Sequence, residues 1–198
     1  MKAFTRNTAS IFLAGLVVFA VMWGGAVAAP AAKLKVGATP VPHAEILEVV
    51  KPILAAKGIA LEIIEFTDYV TPNLALNDGD IDANFFQHVP YLESFAKDRR
   101  LNITYLAKVH IEPMGAYSRR VRSVKDLPNK AKVGIPNDPT NSGRALLLLQ
   151  KAGLIGVDKK AGITATVFDI VSNPKNIQII ELDAAQLPRS LEDMDLAI

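Results

Sequence analysis

The stretch Val133 to Gly153, VGIPNDPTNSGRALLLLQKAG, gathers the residue types of an anion site. Val133 to Ile135 reads as a short apolar strand that breaks at Pro136. Asn137-Asp138-Pro139 is turn chemistry, because Asx side chains bond nearby backbone and Pro139 fixes φ. Thr140 or Asn141 is the expected N-cap of a helix with a buried apolar run, Ala145 to Leu149, and Gly153 is its C′ residue. Arg144 then falls in the first helical turn, where the helix dipole disfavours a lone cation. A polar loop leading into a helix N-terminus offers unpaired N–H groups to an anion. A guanidinium fork adds the two parallel bonds that suit a carboxylate. The same residues also fit an ordinary surface helix with a solvated arginine, and this stretch alone leaves both open.

The elements that must position Arg144 follow from the rest of the chain. Lys2 and Arg6, the apolar run Ile11 to Trp23 and the small residues Ala26-Val27-Ala28 have the three parts of a secretory signal, assigned to residues 1–28. The apolar run is shorter than the ~20 residues of a membrane span. Beyond the signal, 20 Lys+Arg face 20 Asp+Glu, so charge gives no case for nucleic acid or an acidic membrane as partner. The absence of cysteine excludes disulfides, thiolate metal sites, a cysteine nucleophile and a lipid-modified N-terminal cysteine.

Residues 29–33 read as a tether. Leu34–Ala38 is a predicted strand, His43–Lys57 a helix with Ile46, Leu47, Val50, Ile53 and Leu54 on one face, and Ile59–Phe66 a second strand. This βαβ order argues for a parallel sheet. A short helix over Pro72–Leu76 and an alternating strand over Asp80–Phe86 follow. Gln87-His88-Val89-Pro90 comes just past that strand's C-terminal end, where open α/β sheets bind ligands. Tyr91–Arg100 is a predicted helix, and Ile103–Ile111 and Gly115–Ser118 are predicted strands. Arg119 to Lys125 reads as a basic, solvated stretch near a lobe boundary, giving lobes at residues 34–115 and 116–198. In the second half, a helix is expected over Ala165–Val171, a strand over Ile177–Leu182 and a short helix capped by Asp183. The sequence stops at Ile198 inside an apolar strand, so a fragment with impaired ligand binding is expected.

Several of these segments carry a family likeness. Phe86-Gln87-His88-Val89-Pro90-Tyr91-Leu92, His110-Ile111-Glu112-Pro113-Met114-Gly115, Gly134 to Asp138, Asn141-Ser142-Gly143-Arg144 and Leu182 to Leu191 resemble the NlpA/MetQ family. The likeness runs over residues 34–198 almost without gaps. It implies an α/β fold of the periplasmic-binding-protein type II kind, with two lobes closing on an amino acid, methionine, for an ABC importer. It also implies that Arg144 and Asn141 hold the ligand's carboxylate and polar end, and that Tyr69, Phe86, His88 and Tyr91 line the side-chain pocket. The expected partners are the transporter's permease subunits, the expected state is a monomer, and no cofactor is implied. The family's lipobox cysteine has no counterpart in Gly24-Gly25-Ala26-Val27. The expected location is therefore periplasmic, either free or peripheral at the membrane, without a lipobox cysteine.

The residue chemistry agrees with that picture on its own terms. A free amino acid presents a carboxylate to Arg144, an ammonium to Asn141 or loop carbonyls, and an apolar or thioether side chain to an aromatic cluster. The alternatives are another amino acid, a methionine-containing dipeptide or a metal ion as cargo. A metal site on His43, His88 and His110 lacks any ligand spacing such as H-x₃-H and is not expected. Ser142 is not in a nucleophile elbow, and Asp80 and Asp82 form no paired-carboxylate motif, so no enzyme is expected.

Overall fold

The structure, a computed structural model, describes residues 32–198. The signal at 1–28 and the first part of the tether lie outside the described residues. Strand β1 (Ala32–Ala38) begins two residues before the predicted start, and its buried end is Val36 to Ala38. Pro40–Ala44 is an irregular turn in which Val41 is extended, as the following proline requires. Helix α1 (Glu45–Ala55) returns the chain to β2 (Ile59–Glu65). Helix α2 (Thr71–Asp78), closed by Gly79 at φ +80°, leads to β3 (Ala83–Phe85) and then α3 (Val89–Arg99). The sheet order is β2-β1-β3, with β1 and β3 parallel and Ala38 opposite Phe85.

The second sheet has β4 (Lys132–Pro136) at its centre, between β7 (Gln178–Leu182) and β8 (Leu196–Ala197), both parallel to it. Helix α4 (Pro139–Lys151) follows β4, and Gly153, at φ +75°, stands in the expected C′ position. The core gathers around Val133, Ile135, Ala145, Leu146 and Leu149, each at most 1% exposed. A parallel strand covered on both faces needs such a continuous apolar run. Gly143 lies where a Cβ would come within 1.9 Å of the Ile163 carbonyl oxygen, so its side of α4 packs directly on neighbouring backbone. Helix α5 (Leu187–Ser190) follows a 3₁₀ turn over Ala184–Gln186, before β8.

Four local expectations are corrected. Residues 103–111 form no strand: the run alternates like one, but no ladder partner meets it, and Leu106 and Ile111 are 90% and 91% exposed. The helix expected at 165–171 is a single 3₁₀ turn, Val167–Asp169, with a capping box from Thr166. It passes into β6 (Ile170–Ser172), antiparallel to β5 (Gly156–Val157). The β-branched Val167, Ile170 and Val171 favour that outcome. The stretch after Tyr117 is not simply solvated. Tyr117 exchanges two 2.8 Å backbone bonds with Ala197, Arg119 pairs with Glu192 at 2.7 Å, and Arg120 pairs with Asp195 at 3.1 Å. Finally, α1 has no fully buried residue, and Ile53, predicted on its apolar face, is 55% exposed.

Among the described residues no helix is long and apolar enough to cross a membrane. Contact density places Lys33–Ile198 in one compact unit. Phe85 and Pro136, at the C-terminal ends of β3 and β4, line one cavity.

Candidate functional site

The loop after β4 is organised by Asp138. It is the N-cap of α4, its carboxylate accepting from the Asn141 backbone N–H at 2.9 Å and from Asn141 Nδ2 at 2.9 Å. The expected cap, Thr140 or Asn141, is thus displaced by two or three residues. Thr140 instead donates its hydroxyl to Asp138 at 3.1 Å. Arg144 consequently sits in the second turn, where the dipole penalty assumed from the sequence is weaker.

Asn141 joins the two sheets' loops. Its Oδ1 accepts from Arg144 Nη1 at 3.0 Å and lies 2.9 Å from His88 Nε2. His88 caps α3 by accepting the Tyr91 backbone N–H on Nδ1 at 3.1 Å. That bond places the imidazole proton on Nε2, so His88 also donates to Asn141 Oδ1. The amide orientation of Asn141 follows, with its oxygen toward two donors and its nitrogen toward Asp138. Arg144 Nη2 donates to the Glu112 carbonyl at 3.3 Å. Among the described residues no carboxylate lies within ion-pairing distance of this half-buried guanidinium.

The aromatic set comes together as well. Tyr69 lies 5.8 Å from Phe86 and 6.2 Å from Tyr91, while Phe86 and Tyr91 meet edge-to-face at 6.1 Å. Tyr91 donates its hydroxyl to the Tyr69 carbonyl at 2.7 Å, so this buried ring braces the loop that carries Tyr69. Burial, then the charge of Asp138, pushes the Tyr91 phenol pKa well above its ordinary value, which keeps it a neutral donor. Burial raises Tyr69 too, followed by the charges of Glu112 and Asp138.

All six predicted residues line one open cavity of about 1410 Å³. That exceeds the roughly 300–1,000 Å³ of a small-molecule pocket. The excess runs along α1 at Ile46, Leu47 and Val50 and along residues 102–111. The polar end is thus defined by Arg144, Asn141 and His88, not by total volume. Sequence reasoning missed Asp138 as the organiser and the Glu112 carbonyl as a partner of Arg144. It also missed the amide network beneath Phe86, where wholly buried Asn73 bonds Asn84 at 2.9 Å and Gln87 at 2.7 and 2.9 Å. The spacing of Asn84 and Gln87 from Phe86 could have pointed to this network.

The architecture is that of the periplasmic substrate-binding proteins. A nutrient-binding protein from Burkholderia cenocepacia, solved bound to methionine, is 49% identical with a TM-score of 0.80, the match covering 83% of this chain and 70% of that one. Immunogenic lipoprotein A from Vibrio vulnificus is also 49% identical at a TM-score of 0.80, over 83% of this chain and 72% of that one. Residues 34–198 match the model of the NlpA lipoprotein family, and the chain belongs to that family. The D-methionine-binding lipoprotein MetQ of Salmonella typhimurium is 46% identical over 166 residues, which is 83% of this chain and 61% of the relative. The chain thus spans about three fifths of the length of such curated relatives.

Proposed function

We propose that this chain forms the ligand-recognising part of an extracytoplasmic binding protein that captures methionine for an ABC importer, without catalysing a reaction. The observation that carries the reading is the half-buried Arg144 guanidinium, which faces the cavity with only neutral oxygen partners. A ligand carboxylate there would supply the missing charge through a bidentate pair. Asn141 and His88 would hold that fork in place from both sheets, and Asp138 would hold Asn141. Tyr69 and Phe86 would form the wall against the ligand side chain, with Tyr91 behind them. A thioether against an aromatic edge gains roughly 0.3–1.5 kcal/mol per contact.

The names of the relatives support methionine over other amino acids, and the matched structure from Burkholderia cenocepacia contains it. In this reading residues 34–115 and 116–198 act as two lobes, the protein works as a periplasmic monomer, and the transporter's membrane subunits are its partner. Calorimetry with L- and D-methionine, alanine and methioninamide, on a version extended to the length of its relatives, tests it. Methionine of at least one hand should bind tightly, alanine weakly, and methioninamide, which lacks the carboxylate, weakly. Equal affinity for methionine and methioninamide would remove the carboxylate from the account.

A further inference from the structure

The sequence set aside its three histidines as metal ligands because no two are spaced for it. The fold brings two of them together, with a glutamate in place of His88. His43 Nε2 lies 3.5 Å from Glu112 Oε1, and His110 Nε2 lies 3.0 Å from the same oxygen. One ligand atom from each of the three residues lies within 4.8 Å of the other two. A tetrahedral Zn²⁺ with bonds of about 2.0–2.1 Å sets its ligand atoms about 3.3–3.4 Å apart. The two nitrogen–oxygen separations bracket that value, and the exposed His110 and Glu112 side chains have room to close the third.

His43 is held like a metal ligand. It is 5% exposed, its ring meets Phe85 edge-on at 4.8 Å, and its Nδ1 lies 2.7 Å from Thr39 Oγ1. Metal-bound imidazoles usually give their second ring N–H to an oxygen, which fixes the tautomer. A ring that gives its Nδ1–H to Thr39 would turn the Nε2 lone pair toward Glu112 Oε1, 3.5 Å away, where a cation would bridge the two. Phe85 also packs edge-on against His110 at 5.4 Å, bracing both rings from one side.

We propose that His43, His110 and Glu112 form a binding site for a zinc-type transition-metal ion. Two imidazoles and one carboxylate suit Zn²⁺ and its spectroscopic substitute Co²⁺ better than Mg²⁺ or Ca²⁺, which take all-oxygen sets. The three residues line the cavity, so a fourth coordination position faces open space. This site lies in the same cavity as the proposed amino-acid site, and Glu112, whose carbonyl accepts from Arg144, adjoins both.

Untagged protein, stripped with chelator and dialysed, is titrated first with Co²⁺ and then with Zn²⁺. The expected result is the visible absorption of tetrahedral Co²⁺, displaced by one Zn²⁺ per chain with a Kd on the order of micromolar or tighter. His110→Ala and Glu112→Gln, both at exposed positions, should each weaken Zn²⁺ at least tenfold while circular dichroism stays unchanged. No saturable one-to-one binding, or Zn²⁺ affinity kept within threefold in both variants, would overturn the site.

Discussion

The two sheets follow the same strand-helix-strand logic yet differ in how completely they are covered. Around β4, the residues Val133, Ile135, Leu146 and Leu149 are at most 1% exposed. Around β1, helix α1 buries no residue fully, Val49 and Ile53 are 70% and 55% exposed, and the run 101–116 joins no ladder. The polar half of the site is built on the covered sheet. Asp138, Asn141 and Arg144 start a helix whose opposite face is core. The aromatic half is built on loops of the less covered sheet and is fixed by its own contacts, with Tyr91 bonded to the Tyr69 carbonyl. The proposed charged anchor needs fixed geometry, and Arg144 stands on a helix whose other face is buried core. The aromatic set is itself well buried at Phe86 and Tyr91, so the looser covering of this sheet lies at α1 and at 101–116.

The sharpest way to break this contrast is to truncate matched leucine-sized side chains in the two regions. Leu146→Ala should cost about 2–5 kcal/mol in urea unfolding, because it opens a cavity in a closed core. Next in size, Asp138→Ala removes the α4 cap and should cost about 0.5–2 kcal/mol. The same variant frees the Asn141 amide, so methionine affinity should fall further than thermal stability alone explains. If affinity is unchanged, Asp138 is a cap and nothing more.

A third test lies in the acid limb of the stability profile, through a carboxylate that joins β4 to the C-terminal segment. Asp195 is held below its ordinary 3.8 mainly by the Lys132 backbone N–H at 2.8 Å, and also by Arg120. Its folded pKa lies below its unfolded one, so the unfolded chain binds more protons in between. The stability it supplies is complete above the ordinary carboxylate range and is lost as pH falls through the folded value. Asp195→Asn should flatten the acid side of the stability profile, and a profile parallel to wild type would count against this role. The smallest effect belongs to the open region: Ile53→Ala should stay within about 0.5 kcal/mol of wild type. A cost near that of Leu146→Ala would erase the contrast.

What could be read in the sequence follows the same division. The β4-loop-α4 unit was legible because turn residues, an apolar run and a C′ glycine are local signals that agree. Its cap was misplaced because Asn137, Asp138, Thr140 and Asn141 all qualify locally, and only the fold selects Asp138. The six residues chosen from their position after strand ends and from the family resemblance line one cavity. The run 103–111 was misread because alternation reports a willingness to be a strand, whereas a strand exists only with a partner. His43 and Glu112 were invisible as neighbours, being far apart in sequence and brought to 3.5 Å only by the fold.

The central claim is that Arg144, set on the rigid side of the site, anchors a ligand carboxylate. Calorimetric titration of methionine into the protein extended to its relatives' length, as wild type, Arg144→Ala and Arg144→Lys, tests it directly. Removing one partner of a shielded charge pair costs roughly 3–5 kcal/mol, or about two to four decades of affinity. The account predicts a loss of that order for Arg144→Ala, and a substantial loss for Arg144→Lys, since a point charge cannot form the fork. Methionine affinity within threefold of wild type in Arg144→Ala, with the fold intact, would contradict it.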